Sequence, residues 1–484
     1  MKRNIRNIAY TLILSALSLG TTAAQEATTG PLVLDLQGAV DHAMAHNKSL
    51  QNSRLEMEKS DRSIWEAIAQ GLPQVSGSVD YMTYFNYEMQ FNFGTGSSVE
   101  FTAEQMADAY NQTVAVFPSF TPADLANYSA GSYYEGVLAS MMPPTSILMS
   151  DQATATLQVS QLIFSGQYIV GIQTAKLAKL ISEQSYQSSE LSIKEAVTSS
   201  YYLVLITQSS LDILQKNLEI MEDNLTQTRV MFKTGMAEQT DVDQLQITLN
   251  QLENSKKALE RNLELNYNML RFQLGLDATV AITLSDDLES LFSGSDPEMA
   301  LLSPFKAENN VNYQIMQTQE EISGKMLDLQ KWNYGPTLAG FYNYNKKIKT
   351  TGFDMNPNNL AGLSLSVPIF SSGMRKAQVD QARIDYNMAQ INKSIMEDQL
   401  SVQEKQFKYN LQSSLENYET QKENVDVARR VYDNYKRKYE QGMASSLDLT
   451  QANANYLDAE SNYLQAVLEV MNAKLALDKL NNTL

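Results

Sequence analysis

Two long stretches of the chain carry a stripe of mostly apolar residues at every third and fourth position, which predicts amphipathic α-helices. The stripe positions of the first stretch are Leu211, Leu214, Leu218, Met221, Leu225, Thr228 and Phe232, continued by Leu245, Leu249, Leu252, Leu259, Leu263 and Leu270. Those of the second are Tyr456, Ala459, Tyr463, Ala466, Val470, Ala473, Leu477 and Leu480. Stripes of this length are typical of coiled-coil packing, and Gly235 and Gly442 predict the turns of two antiparallel helical hairpins. Taken alone, these segments also fit an ordinary soluble coiled coil.

Four other segments alternate with period two, which predicts β-strands with one apolar face. In the first two segments the apolar or small positions are Val75, Gly77, Val79, Tyr81, Thr83, Phe85, Tyr87, Met89, Phe91 and Phe93, then Ala153, Ala155, Leu157 and Val159. In the last two they are Leu338, Gly340, Tyr342 and Tyr344, then Ala361, Leu363, Leu365, Val367 and Ile369. Strands of about ten residues are long enough to cross a bilayer. A soluble β-sandwich is the alternative, although two strands per repeat would not bury two sheets.

Motifs from the first half of the chain recur in the second half in the same order, which indicates an internal duplication. Ile163-Phe164-Ser165-Gly166 returns as Ile369-Phe370-Ser371-Ser372-Gly373, and Gly235-Met236-Ala237 returns as Gly442-Met443-Ala444. Gly166 and Gly235 are 69 residues apart, and so are Gly373 and Gly442. We therefore expect a first repeat over residues 25–274, a linker over 275–304 and a second repeat over 305–484.

The first repeat carries an insertion between its two strands, at about residues 94–150. Pro73 lies 93 residues before Gly166, whereas the corresponding Pro336 lies only 37 residues before Gly373. The insertion joins the strands at the end opposite to the helices, where the loops of membrane barrels are longer and extracellular. We expect either a solvated loop or a plug or receptor surface.

Residues 1–24 have the pattern of a secretory signal peptide, with Lys2, Arg3 and Arg6 before a short apolar run and a small-residue cleavage site. No later stretch approaches about eighteen uninterrupted apolar residues, so we expect no transmembrane helix. A membrane-embedded chain would then need a closed β-barrel. Four strands are too few to close one, which predicts that several chains donate strands. Three chains would supply twelve strands. Two chains would supply only eight, and a barrel of eight strands is too narrow for a water-filled lumen.

The composition excludes several classes of site. The chain has 484 residues, 2 His, no Cys and a formal net charge of −18, which excludes disulfides and cysteine-based zinc sites and argues against nucleic acid as a partner. The sequence contains no Walker A, G-x-S-x-G or H-E-x-x-H motif, so we expect neither an enzyme nor a cofactor. His42 and His46 stand four apart on a predicted helix and could share a metal ion. Without a third ligand, however, we expect no metal site there.

Together these features resemble the TolC-like outer-membrane efflux protein family, also called outer membrane factors. The resemblance rests on residues 34–40 (LDLQGAV), His46-Asn47, Gly71-Leu72-Pro73, the two Ile-Phe-Ser strand ends and the two glycine turns. It implies a mainly α fold, in which long helical hairpins form a periplasmic α-barrel. Four strands per chain would join the twelve-stranded transmembrane β-barrel of a homotrimer. The implied location is the outer membrane of a Gram-negative-type cell, with a periplasmic extension.

The resemblance also implies a function: an export duct of a tripartite efflux or type I secretion system, through which substrates pass passively. The implied partners are a periplasmic adaptor protein, an inner-membrane transporter and outer-membrane lipid. From the residues alone, the alternative is a periplasmic coiled-coil adaptor. Such an adaptor usually has one hairpin flanked by small β domains, and two equal hairpins argue against it.

Family members gate the duct and dock the adaptor at the helix turns, which correspond here to residues 233–241 and 439–448. By resemblance, the adaptor-docking candidates are Gly235, Met236, Gly442 and Met443. The pore or gate candidates are Asp241, Tyr439 and Asp448. Ala444 and Gln451 stand where well-known members have an arginine and a second aspartate, so the family's latch is incomplete here. For both aspartates, a helix-start carboxylate favoured by the helix dipole is the alternative to a pore role.

Overall fold

The computed structural model describes residues 32–85, 87–91, 111, 145–148, 151–349 and 357–484. The expected signal peptide at residues 1–24 and nearly all of the insertion at 94–150 lie outside these ranges. Both therefore stay predictions.

Helices make up most of the described chain. Their bounds are α1 Leu36–His46, α2 Lys48–Ala69, α3 Gly166–Lys233, α4 Gln239–Leu274, α5 Leu288–Ser293, α6 Pro297–Leu302, α7 Val311–Trp332, α8 Met374–Glu440 and α9 Ser446–Asn481, with a 3₁₀ turn at Ala307–Asn309. Helix α3 has 68 residues and α8 has 67, so each is about 100 Å long at a rise of 1.5 Å per residue. The expectation of a mainly α fold with two long helical hairpins, α3–α4 and α8–α9, is confirmed.

The hydrophobic stripes face the interior of each hairpin. Met221 and Leu245 are fully buried where α3 packs on α4. Leu411 and Leu477 are fully buried in the cluster that α8 and α9 share. Phe232 is the exception with an exposed fraction of 41%, since α3 ends at the next residue.

A short parallel strand pair, β1 Leu32–Leu34 and β6 Ile282–Leu284, packs against α3. The side chain of Tyr201 is fully buried there, and its hydroxyl donates to Oδ2 of Asp286 at 2.9 Å. The same carboxylate accepts the N–H of Leu36 at 2.7 Å. Burial, followed by the bond to Asp286, raises the pKa of Tyr201. One tyrosine thus joins the start of α1, the segment after β6 and the long helix α3.

Four strands form one antiparallel sheet in the order β2-β5-β7-β8. Their bounds are β2 Gln74–Met82, β5 Gln152–Ser165, β7 Thr337–Lys349 and β8 Asn359–Ser366. Every residue of β2 is exposed, as are nearly all residues of β8. Within the described residues, each of the two outer strands therefore lacks a neighbouring strand on its outer edge and lacks a packed face.

Two of the predicted strands are shorter than expected. An uninterrupted strand from Val75 to Phe93 is wrong, because the chain breaks at Phe85, whose φ is 51°. A separate strand, β3 Glu88–Phe91, follows and pairs with β4 Thr145–Leu148. The fourth strand stops at Ser366 instead of Ile369. Pro368 has no N–H to donate to a strand ladder and so ends the pairing.

The described chain divides into two compact units, and both halves of the sequence contribute to each unit. The first unit holds the helical hairpins and comprises residues 32–64, Thr174–Leu327 and Asp380–Leu484. The second holds the four-stranded sheet and comprises the described parts of Trp65–Gln173 and Asp328–Val379. None of the described helices has the length and apolar character needed to span a membrane.

Candidate functional site at the two helix turns

Each helical hairpin turns at a glycine that follows its first long helix. Gly235 has a φ of 75° and Gly442 a φ of 69°, a left-handed conformation that glycine adopts without steric cost. In both turns the glycine N–H donates to the carbonyl three residues back, and the next N–H donates to the carbonyl five residues back. This pattern is the Schellman motif of helix ends. The local sequence therefore determines both turns.

The second helix of each hairpin begins with a capping box, a reciprocal pair of hydrogen bonds that satisfies free N–H groups at a helix start. The carboxylate of Asp241 accepts the N–H of Glu238 at 2.9 Å. The carboxylate of Asp448 accepts the N–H of Ser445 at 3.0 Å and its hydroxyl at 2.7 Å. These two bonds lower the pKa of Asp448. Both candidate aspartates thus stabilise a helix start.

The two turn methionines lie in solvent. Met236 is 72% exposed and Met443 is 67% exposed. At Gly235 and Gly442, no heavy atom of the described residues beyond the glycine and its two chain neighbours lies within 4 Å of the place where a side chain would begin. Each turn therefore presents one apolar side chain beside open space.

A side-chain hydrogen bond joins the two turns. The hydroxyl of Ser446, the first residue of α9, donates to Oδ1 of Asp241 at 2.6 Å. Ser446 is only 4% exposed and Asp241 is half-buried, so this bond is partly shielded from water. The sequence singled out Asp241 but gave no signal for Ser446, because a serine at a helix start is ordinary.

Tyr439 lies inside the chain, in contact with the first hairpin. Its ring packs with Leu449 and Ala452, and its hydroxyl forms a hydrogen bond with the hydroxyl of Thr228 on α3. Thr228 is fully buried and also donates to the backbone oxygen of Asn224 at 2.7 Å. Burial raises the pKa of Tyr439. The only signal for Thr228 in the sequence was a hydroxyl at a position of the hydrophobic stripe.

Another polar contact between the hairpins lies farther along the helices. Asn217 of α3 and Asn453 of α9 exchange two hydrogen bonds, each 3.0 Å long. Their exposed fractions are 4% and 3%. A buried polar pair in a hydrophobic seam fixes the register of the two helices, because any shift would leave both amides unsatisfied.

The structure thus separates residues that the sequence grouped as gate candidates. Asp241 and Tyr439 contact the opposite hairpin, whereas the hydrogen bonds described for Asp448 remain within its own turn. Ala444 packs partly buried against the cluster around Tyr439. Gln451, by contrast, donates to Asn455 one helical turn further along α9.

The chain matches a family model over both of its halves. The model is that of the outer membrane efflux proteins, and it matches residues 126–276 and 310–483. The chain belongs to the outer membrane efflux protein family. This is a family of channels rather than enzymes, and the chain is accordingly an outer-membrane efflux duct.

Two curated proteins are similar to this chain in sequence, at low identity. The outer membrane protein TolC of Vibrio cholerae is 22% identical over 312 residues, which cover 60% of this chain and 71% of that protein. The outer membrane protein TolC of Salmonella enteritidis is 23% identical over 249 residues, which cover 49% of this chain and 50% of that protein.

Solved outer-membrane channels share the fold. The outer membrane protein VceC of Vibrio cholerae superposes on this chain with a TM-score of 0.64 at 14% identity. The superposition covers 92% of this chain and 96% of the VceC chain. The CmeC outer membrane channel of Campylobacter jejuni superposes with a TM-score of 0.66 at 13% identity. That superposition covers 93% of this chain and 85% of the CmeC chain. At such identities the likeness concerns the fold alone.

Proposed function

We propose that three copies of this chain form a passive duct that is gated at the two helix turns. The observation that carries the proposal is a pair of side-chain hydrogen bonds between the hairpins, the part-buried Ser446–Asp241 and the buried Tyr439–Thr228. In this proposal the contacts hold the second hairpin against the first in the resting duct. Opening requires the second hairpin to leave the first, which breaks both contacts.

The exposed edges of the sheet support assembly from several copies. β2 and β8 lie at its two ends and are exposed on both faces. Unpaired strand edges are not tolerated in lipid, because their backbone N–H and C=O groups would lack partners. Three copies would close a barrel of twelve strands. The mass of the detergent-extracted protein tests this count, and a stable monomer would contradict it.

The exposed methionines support docking of a periplasmic adaptor at the turns. Met236 and Met443 are flexible apolar side chains next to open space, and such side chains adapt to irregular partner surfaces. In this proposal the adaptor grips them, and an inner-membrane transporter supplies the energy. The duct itself contributes a water-filled path.

A reversible crosslink between the turns tests the gate. The chain has no native cysteine, so a variant with Asp241→Cys and Ser446→Cys carries only the introduced thiols. A short bis-methanethiosulfonate should bridge them and abolish channel opening in planar bilayers, and a reducing agent should restore it. The matched control is the single variant Ser446→Cys with the same reagent. A crosslinked double variant that opens as often as the control would refute the gate.

Substitutions that place a charge at the two turn methionines test the docking of the adaptor. Met236→Glu together with Met443→Glu should weaken capture of the duct by its adaptor, because a carboxylate would have to be desolvated in the contact. Met299→Glu is the control, since Met299 on α6 is comparably exposed at 66%. Equal losses in both variants would show that surface charge in general, rather than the turns, governs capture.

A further inference from the structure

The two faces of the four-stranded sheet differ in polarity. One face, which we call the apolar face, is formed mostly by apolar side chains of β2, β5 and β7. The strand pairings place on it Val75, Gly77, Val79, Tyr81, Ala153, Ala155, Leu157, Val159, Tyr342 and Tyr344. The opposite face carries polar side chains, such as Ser78, Thr156 and Asn345 in one row. Outer-membrane barrels turn their apolar face to lipid, so the apolar face contacts lipid in the proposed duct.

An irregularity in β7 brings two lysines onto the apolar face. Lys346 pairs with Ala155, whereas Lys349 pairs with Ala153. Three steps along β7 therefore match two steps along β5, which is the signature of a β-bulge. In a regular strand, residues three apart lie on opposite faces. With the bulge, Lys346 and Lys349 share the apolar face, about 7 Å apart along the strand, the length of two residues of β5.

A carboxylate holds the second of these lysines in place. Nζ of Lys349 donates to Oδ2 of Asp151 at 2.9 Å, and the same oxygen accepts the hydroxyl of Tyr81 at 3.0 Å. Oδ1 of Asp151 accepts the hydroxyl of Thr83 at 2.7 Å. An ammonium has three N–H donors, so the bond to Asp151 leaves two for another partner. Lys346 is exposed, and this end of the apolar face carries two cations against one anion.

The two lysines lie where the proposed duct meets lipid headgroups. At one end of the sheet β2 follows α2 and β5 leads into α3, and Lys346 and Lys349 lie at the other end. Tyr342 and Tyr344 precede Lys346 on the same face, and each is 42% exposed. Tyrosines are typical of the girdle between lipid tails and headgroups. A lysine on the lipid face is costly in the middle of a bilayer but not beside the headgroups.

We propose that Lys346 and Lys349 bind the phosphate of an anionic membrane lipid, whose acyl chains lie along the apolar face. Lysine ammonium groups donate charge-assisted hydrogen bonds to phosphate oxygens, and two of them on one face reach the same headgroup. The apolar rows beside them accept the acyl chains, which a free phosphate ion lacks. The site rests on the proposed function for the orientation of the sheet in the membrane.

Native mass spectrometry of the detergent-extracted protein tests the site with two lipids of equal acyl chains, dimyristoyl phosphatidic acid and dimyristoyl phosphatidylcholine. The wild type should bind the phosphatidic acid more tightly, because phosphatidylcholine has no net charge. Lys346→Gln should weaken binding of phosphatidic acid by about fivefold, the usual contribution of one basic residue near an anionic lipid surface. Lys347→Gln is the matched control, since it removes the same charge from a residue that pairs with Thr154 on the opposite face, and it should leave binding unchanged.

Three results would overturn the proposal. The first is equal binding of the two lipids by the wild type, and the second is an equal loss in Lys346→Gln and Lys347→Gln. The third is displacement of the lipid by excess inorganic phosphate, which would indicate a general anion site. The same spectra report the number of chains in the assembly. A count other than three would contradict the proposed duct, whereas binding of phosphatidic acid that depends on Lys346 would still support the lipid site.

Discussion

The buried pair Asn217–Asn453 gives the sharpest prediction on how the two hairpins are held together. Asn453→Leu removes both 3.0 Å hydrogen bonds and leaves the amide of Asn217 buried without a partner. An unsatisfied buried polar group costs about 1–3 kcal/mol, so we expect a local destabilisation of about 2 kcal/mol. Asn217→Leu should have a similar effect. The double variant removes both polar groups together and should return close to the wild-type stability, because nothing is then left unpaired.

Hydrogen exchange followed by mass spectrometry measures this locally, without unfolding the assembled protein. A loss of about 2 kcal/mol corresponds to roughly thirtyfold faster exchange in the facing segments of α3 and α9. The control is Asn455→Leu, which breaks only an exposed side-chain bond to Gln451 and should change exchange little. The reasoning fails if Asn453→Leu exchanges at the wild-type rate. It also fails if the double variant, Asn217→Leu with Asn453→Leu, loses as much stability as the sum of the losses in the two single variants.

The remaining predictions concern the turns and the end of α4. Asp448→Ala should weaken the block of the assembled duct by multivalent cations, because it removes the carboxylate. Ser445→Ala disturbs the same helix cap but keeps the carboxylate, so it should leave the block unchanged. Equal effects of the two variants would show that the block depends on the helix cap. Tyr439→Phe should lengthen open times in single-channel recordings, and unchanged open times would remove its hydroxyl from the gate. Gly275→Ala should destabilise the protein in thermal unfolding, because of its positive φ and the clash it would create, while Gly171→Ala, with open space around it, should not.

Local sequence determined the helical part of the fold. The stripes from Leu211 to Leu270 and from Tyr456 to Leu480 set which face of each helix is buried, because apolar positions at helical spacing form one continuous face that packing removes from water. Gly235 and Gly442 set the turns, because few residues other than glycine accept their positive φ. The period-two segments located the sheet for the same kind of reason, although Phe85 and Pro368 shortened two strands.

Contacts between distant residues were decided only by the tertiary structure. Asp241 and Asp448 occupy matching positions after matching turns. Nothing in the sequence indicated that only Asp241 would accept a hydrogen bond from a serine of the other hairpin. Partners such as Asn217 with Asn453, or Asn47 with the backbone of Gln273, lie more than two hundred residues apart. A repeating pattern specifies which face of a helix is buried. Which residues meet across that face depends on the offset between helices, and that offset exists only once the hairpins have packed.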